Sequence, residues 1–133
     1  MISDPISDTL TRIRNAHLAK HENVYILNTK MTCKMSSILK KEGYIESFKV
    51  SSNFPNAKYL EINLKYLGDQ KKPGITNLKR LSSPGLRLYS NYKEIPFVLN
   101  GMGVVIVSTS RGVMTDREAR ANKIGGELLC SIW

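Results

Sequence analysis

The chain has 133 residues, room for one domain of ordinary size or two small ones. Hydrophobic residues make up 41% of it, which excludes global disorder, and no apolar run approaches the roughly 18 residues of a membrane-crossing helix. The formal net charge is +9, a surplus that points to a polyanionic partner. That charge is spread. Residues 1–66 carry ten basic and six acidic groups, and residues 67–133 carry ten and five. A footprint shared by both halves suits nucleic acid; a membrane surface would want a dense basic cluster or a basic amphipathic helix. The opening Met-Ile-Ser-Asp-Pro-Ile-Ser-Asp lacks the features of a secretory signal or transit peptide, so the protein is expected to work where it is made. Cys33 and Cys130 have no partners at metal-ligand spacing and are expected to be small buried hydrophobes, with no disulfide and no metal.

In chain order, Asp4-Pro5 reads as a helix entry, with Asp as N-cap and Pro at the first helical position. Ile6, Leu10, Ile13 and Leu18, with Ala16 or His17 between, form an apolar stripe. Arg14 lies at its edge, where it serves either as a phosphate contact or as part of a solvated face. Residues 22–28 alternate as a short strand around Val24 and Ile26. A second helix is predicted over 30–42, burying Met31, Met35, Ile38 and Leu39 and stopped by Gly43. Lys30 and Lys34 sit in its first turns, where the helix dipole disfavours cations; an anion arriving there would explain them. Two alternating strands follow, over 44–50 and 58–67, separated by the loop Ser51–Asn56.

Gly68–Gly74 reads as a linker, placing an N-terminal α/β domain at 1–67 and a mostly β C-terminal domain at 68–133. The fold class is therefore α+β: a helix-strand-helix-strand-strand unit, then strands with one short helix. In the second half, Leu86–Tyr89 alternates. Arg87 and Tyr89 share the face opposite Leu86 and Leu88, where they can pair with phosphate and stack on a base, or simply pack across strands. Residues 93–101 suggest a short helical turn, and Gly101-Met-Gly103 a tight bend before the buried strand Val104–Val107. That strand is expected to break into a polar loop at Ser108–Gly112. Thr115 and Glu118 then fit a capping box for a short helix, and residues 127–133 form a last strand buried on both faces.

The loop carries the chemistry. Ser108, Thr109 and Ser110 are short donor-acceptor groups that reach sugar hydroxyls and base edges in the wide, shallow minor groove of RNA. Arg111 can neutralise phosphate and Gly112 allows close backbone approach. An ordinary Ser/Thr loop without a ligand has the same composition. Catalysis is not expected. Both histidines lie far upstream, no Gly-x-Ser-x-Gly elbow exists, and Asp116 and Glu118 are accounted for at a helix start. The glycines at 101 and 103 precede their strand and no Gly-Lys-Ser/Thr follows, against a nucleotide-binding loop. No cofactor, small-molecule substrate or membrane partner is expected. A separate RNA- or nucleotide-binding module using residues 101–110 is kept as the alternative.

Ser-Thr-Ser-Arg-Gly-Val-Met-Thr-Asp-Arg-Glu-Ala-Arg (108–120), followed by Gly-Gly-Glu-Leu-Leu-Cys (125–130), resembles the C-terminal signature of the small-subunit ribosomal protein eight family. Residues 4–15, Leu39–Ile45 and Leu81–Tyr89 resemble further family blocks, so the likeness spans the chain. It implies two α/β domains and a primary binder of small-subunit ribosomal RNA. Such a protein docks on an irregular helix of the central domain and supports platform assembly beside neighbouring small-subunit ribosomal proteins. It also implies RNA contacts at Ser108, Thr109, Ser110, Gly112 and the adjoining Tyr89, with Glu127 supporting the loop hydroxyls. From the first domain it carries over Arg14, Lys30 and Lys58, although the loop before Lys58 departs from the family pattern. Ser83 stands where a basic residue is usual and Ser131 where an aromatic is common. Leu88–Pro96 is similar to plastid members, which places the protein in the small subunit of plastid ribosomes, with the bacterial cytoplasm as the alternative.

Overall fold

The structure, a computed structural model, describes residues 4–133. The chain divides into two compact units, the first running to Thr76 and the second covering Asn77–Trp133.

In the first unit, Asp4 caps helix α1 (Pro5–Leu18), its carboxylate accepting from the Ser7 backbone N–H at 3.3 Å. Pro5 occupies the first turn, where its missing donor costs nothing. Ile6, Leu10 and Ile13 are buried as predicted, but the stripe ends on His17, 7% exposed, while Leu18 is 79% exposed. Positions 6, 10, 13 and 17 follow the helical period, and residue 18 falls about 100° further round. Strand β1 (Asn23–Leu27) leads to helix α2 (Lys30–Lys41). Thr29 and Thr32 form a reciprocal capping box there, with bonds of 3.1 and 2.8 Å. Met35, Ile38 and Leu39 are buried, whereas Met31 is only half-buried; Thr32 and Ser36 complete the inner face. Cys33 is exposed, contrary to expectation, because it shares the outer face with Lys30, Lys34 and Ser37 at i, i+3, i+4 and i+7 spacing. Gly43, at φ +82, ends the helix, and the Tyr44 N–H returns to the Leu39 carbonyl at 2.8 Å.

Strands β2 (Ile45–Val50) and β3 (Tyr59–Leu64) complete a three-stranded antiparallel sheet with β3 in the centre. Leu60, Ile62 and Leu64 join Ile26 in the core, so alternation places Tyr59, Glu61 and Asn63 on the other face. The stretch read as a linker folds with this unit. Strand β4 (Tyr66–Leu67) pairs with β5 (Lys72–Pro73), and the Gly74 N–H bonds the Lys65 carbonyl at 2.8 Å. Polar, turn-rich composition thus marks a hairpin here, and the division between units lies after Thr76 rather than after residue 67.

The second unit contains β6 (Leu78–Arg80), β7 (Tyr89–Ser90), β8 (Val104–Thr109), β9 (Gly112–Thr115), helix α3 (Asp116–Ala121) and β10 (Gly126–Ile132). The sheet order is β6-β10-β8-β9, with β7 also paired to the start of β10. Val105, Val107, Met114 and Leu128 pack with Ile95 and with Ala119 of α3. Strand β10 is buried from Leu128 to Ile132, as predicted for a strand covered on both faces, but a bulge alters its alternation. Leu128 pairs with Val107 and Cys130 with Ile106, so Leu128 faces one side while Cys130 and Ile132 face the other. Burial pushes the Cys130 thiol up to about 12, against a smaller opposing effect of Arg80; it is a packing group, not a nucleophile. Two further expectations change. The strand predicted over 86–89 contracts to Tyr89–Ser90, with Leu86 66% exposed. The predicted helical turn ending at Gly101 is present but contracts to the single turn Leu99–Gly101, and it is left-handed, with φ +46, +54 and +91.

Candidate nucleic-acid interface

The stretch read as a loop at Ser108–Gly112 is the closed end of a hairpin. Strand β8 continues through Ser108 and Thr109, and Thr109 pairs with Gly112 across a two-residue turn of Ser110 and Arg111. The polar composition conceals this, because outward-facing strand ends and turns use the same residues. The Thr109 hydroxyl donates to the Gly112 carbonyl at 2.8 Å and accepts from the Arg111 N–H at 3.1 Å, so it shapes the turn. Ser110, Arg111 and Gly112 are exposed, and Ser108 is half-buried. Gly112 has φ +107, which disfavours any side chain, and no atom lies within 4 Å of where its Cβ would stand. The tip therefore offers a serine hydroxyl, a guanidinium and bare backbone to open solvent.

The start of β10 holds that tip in place. A Cβ on Gly126 would overlap the Ser108 carbonyl oxygen and lie 2.9 Å from its carbon; one on Gly125 would lie 2.7 Å from the Asn91 Cα. The glycine pair lets three strands close on one another beneath the tip. Glu127 pairs with Ser108 on one side and Tyr89 on the other, and Ser108 in turn with Val113. Direct cross-strand partners project from the same face, so Ser108, Glu127 and Tyr89 form one row, with Tyr89 71% exposed.

The Glu127 carboxylate accepts from the Ser82 hydroxyl at 2.6 Å and pairs with Arg87 at 3.3 Å. Buried Ser82 also accepts from the Leu88 N–H at 3.1 Å. Glu127 therefore braces residues 82–89 through its side chain and meets the hairpin through its backbone. Sequence inspection passed over Ser82; its burial depends on a partner 45 positions away.

Thr115 sits at the other end of β9, paired with Ile106. Its hydroxyl accepts from the Glu118 N–H at 3.2 Å and caps α3. The helix N-terminus and the hydroxyl loop do not converge on one point, because Gly112–Thr115 is a strand that separates them. Asp116, 1% exposed, locks this junction: its carboxylate accepts from the Val105 N–H at 3.2 Å and from Arg120 at 2.7 Å.

In the first unit, Asn28 draws Lys58 beside the entry to α2. Its backbone N–H bonds the Lys58 carbonyl at 2.8 Å and its side-chain amide the Ala57 carbonyl at 2.9 Å. Lys58 is exposed, with its ammonium 5.6 Å from the centre of the Tyr59 ring. Lys30, also exposed, lines a groove of about 550 Å³ with Lys34, Cys33 and Phe48. Arg14 is exposed on α1. Among the described residues, no three His, Cys, Asp or Glu side chains cluster as metal ligands would.

Residues 4–133 match the family described as ribosomal protein S8. A protein of Tupiella akineta named small ribosomal subunit protein uS8c is 76% identical over 133 residues, covering all of both chains. Proteins of the same name from Oltmannsiellopsis viridis and Physcomitrium patens are 56% and 53% identical, again over the whole of both chains. These relatives are named as ribosomal proteins, a structural and non-enzymatic class, in line with the reading of the residues. Full-length coverage at this identity, together with the family match, establishes that the chain belongs to the ribosomal protein S8 family.

Proposed function

We propose that this chain is a structural constituent of the small subunit of plastid ribosomes. In this reading it binds small-subunit ribosomal RNA directly, on an irregular helix of the central domain, and supports platform assembly beside neighbouring ribosomal proteins. Family membership and the uS8c name shared by relatives from algae and a moss support the ribosomal and plastid parts. The observation that carries the RNA reading is the hairpin tip: Ser110 and Arg111 exposed in a two-residue turn, with Gly112 exposed at its end and open space where the glycine's Cβ would stand.

Short hydroxyls at Ser108 and Ser110 match the 2′-hydroxyls and base edges of a shallow RNA minor groove. Arg111 positions the tip by pairing with phosphate, which carries no sequence information. Tyr89, in the same cross-strand row as Ser108, supplies an aromatic surface for a ribose or base, and Arg87, paired with Glu127, a guanidinium beside it. Lys30, Lys58 and Arg14 add phosphate contacts from the first unit. A hydroxyl contact is worth about 1 kcal/mol, so Ser110→Ala is expected to weaken binding to the rRNA helix roughly five- to tenfold and to leave binding to generic duplex unchanged. Equal losses on both would remove the tip from recognition. The affinity should also fall with salt on a log-log plot, with a slope set by the number of phosphate contacts. The native protein should remain with small subunits through a salt wash.

A further inference from the structure

The first unit carries an aromatic cluster that the hairpin-based reading does not use. Tyr25 and Tyr59 alternate along their strands with buried Ile26 and Leu60, so they stand on the sheet face turned away from that core. Phe54, in the connection between β2 and β3, closes over them. Its ring centre is 5.2 Å from that of Tyr25, edge-on, and 4.7 Å from that of Tyr59. Yet 39% of Phe54 remains exposed.

The connection is held in this shape. Asn53 donates from its side-chain amide to the Tyr25 hydroxyl at 2.9 Å and from its backbone to the Ser51 hydroxyl at 3.2 Å. Asn28 anchors Ala57 and Lys58, and Asn56 and Ala57 turn the chain at φ +60 and +52. Two lysines flank the rings: Lys58 against Tyr59, and Lys49, its side chain 67% exposed, on Glu61 of the same face at 3.5 Å.

We infer that this face is a stacking platform for one unpaired RNA base, with Phe54 as the stacking ring and Lys58 and Lys49 as cations for its phosphates. The inference rests on the proposed RNA-binding role. An exposed aromatic on a preformed surface flanked by cations is the chemistry that holds single-stranded nucleotides: any base has a π-face to stack, and the cations track the backbone. An apolar protein segment would gain nothing from lysines at the rim and would leave the Tyr25 and Tyr59 hydroxyls to be desolvated.

The test uses the full chain and a central-domain rRNA fragment that retains its unpaired nucleotides. Phe54→Leu keeps an apolar side chain against Tyr25 and Tyr59 but removes the π-face; it is expected to weaken binding about tenfold with an unchanged melting temperature. Phe54→Trp should bind like the parent or better. If Phe54→Leu binds as tightly as the parent, as it also would were the face a protein-docking surface, the platform is overturned and the hairpin reading stands. If the parent chain itself does not bind the fragment, the RNA-binding role fails and the platform fails with it.

Discussion

Two outward-facing connections, Ser110-Arg111 between β8 and β9 and residues 51–58 between β2 and β3, are built in opposite ways. The first has only two residues, and its geometry follows from strand register, one threonine hydroxyl and a glycine at positive φ. Its outward groups hold nothing else together. The second is long, and its shape depends on side chains: Asn28, Ser51, Asn53 and three aromatic rings. Backbone-built tips leave their side chains free for a ligand, whereas side-chain-built loops employ the same groups for folding and recognition. Stability and binding should therefore separate for substitutions at the hairpin tip, whereas in the longer loop the loss of a shaping hydrogen bond should affect both.

The largest expected effect lies under the hairpin. Gly126→Ala drives a methyl into the Ser108 carbonyl; with backbone on both sides, the strands must part, at a cost of about 3 kcal/mol. Urea unfolding should show this, with RNA binding lost in parallel. A cost near zero would mean that β10 does not hold the tip. Next comes Asp116→Ala at the far end of β9, which leaves Arg120 and the Val105 N–H without their shared carboxylate. A loss of about 2–3 kcal/mol is expected, read as a lower denaturation midpoint, while Ser110→Ala at the exposed tip should leave that midpoint in place.

In the first unit, Asn28→Ala removes the bond to Ala57 and should cost about 1 kcal/mol. Amide exchange should quicken at residues 56–58 and nowhere in the second unit; unaltered exchange at 56–58 would break the contrast between the two loops. The smallest effect is a pH dependence. His17 is buried with its ring edge against Tyr66, and among the described residues neither of its nitrogens has a hydrogen-bond partner. Burial lowers its pKa below the ordinary 6.5, so the unfolded chain takes up the proton first as pH falls. The stability contributed by neutral His17 is complete above pH 6.5 and declines as the pH drops toward the folded-state value. His17→Leu should flatten this acid limb; an equally steep limb in the variant would assign it to other groups.

Much of the architecture could be read along the chain. Asp4-Pro5, the stripe of Ile6, Leu10 and Ile13, the Gly43 stop, the alternation of Leu60, Ile62 and Leu64, and Thr115 as a cap all arise from interactions within a few residues, where spacing alone sets the outcome. The misreadings share one origin. Leu18 looked like core until His17 took its place on the wheel. Gly68–Gly74 looked like a linker until two short strands paired.

By itself the sequence determined the charge, the α+β class, the hydroxyl-bearing segment and the family, because these depend on composition, local periodicity and ordered motifs. Only the tertiary structure decided that Ser108–Gly112 is a hairpin tip, that α3 starts at the far end of β9, that Glu127 serves Ser82 and Arg87, and that Gly126 lies against Ser108. The Glu127 and Gly126 contacts join residues distant in the chain, and the hairpin, though local, turns on the register of its two strands. Such pairings are set by which strands close on one another and in what register, and no local pattern of residue types encodes that choice.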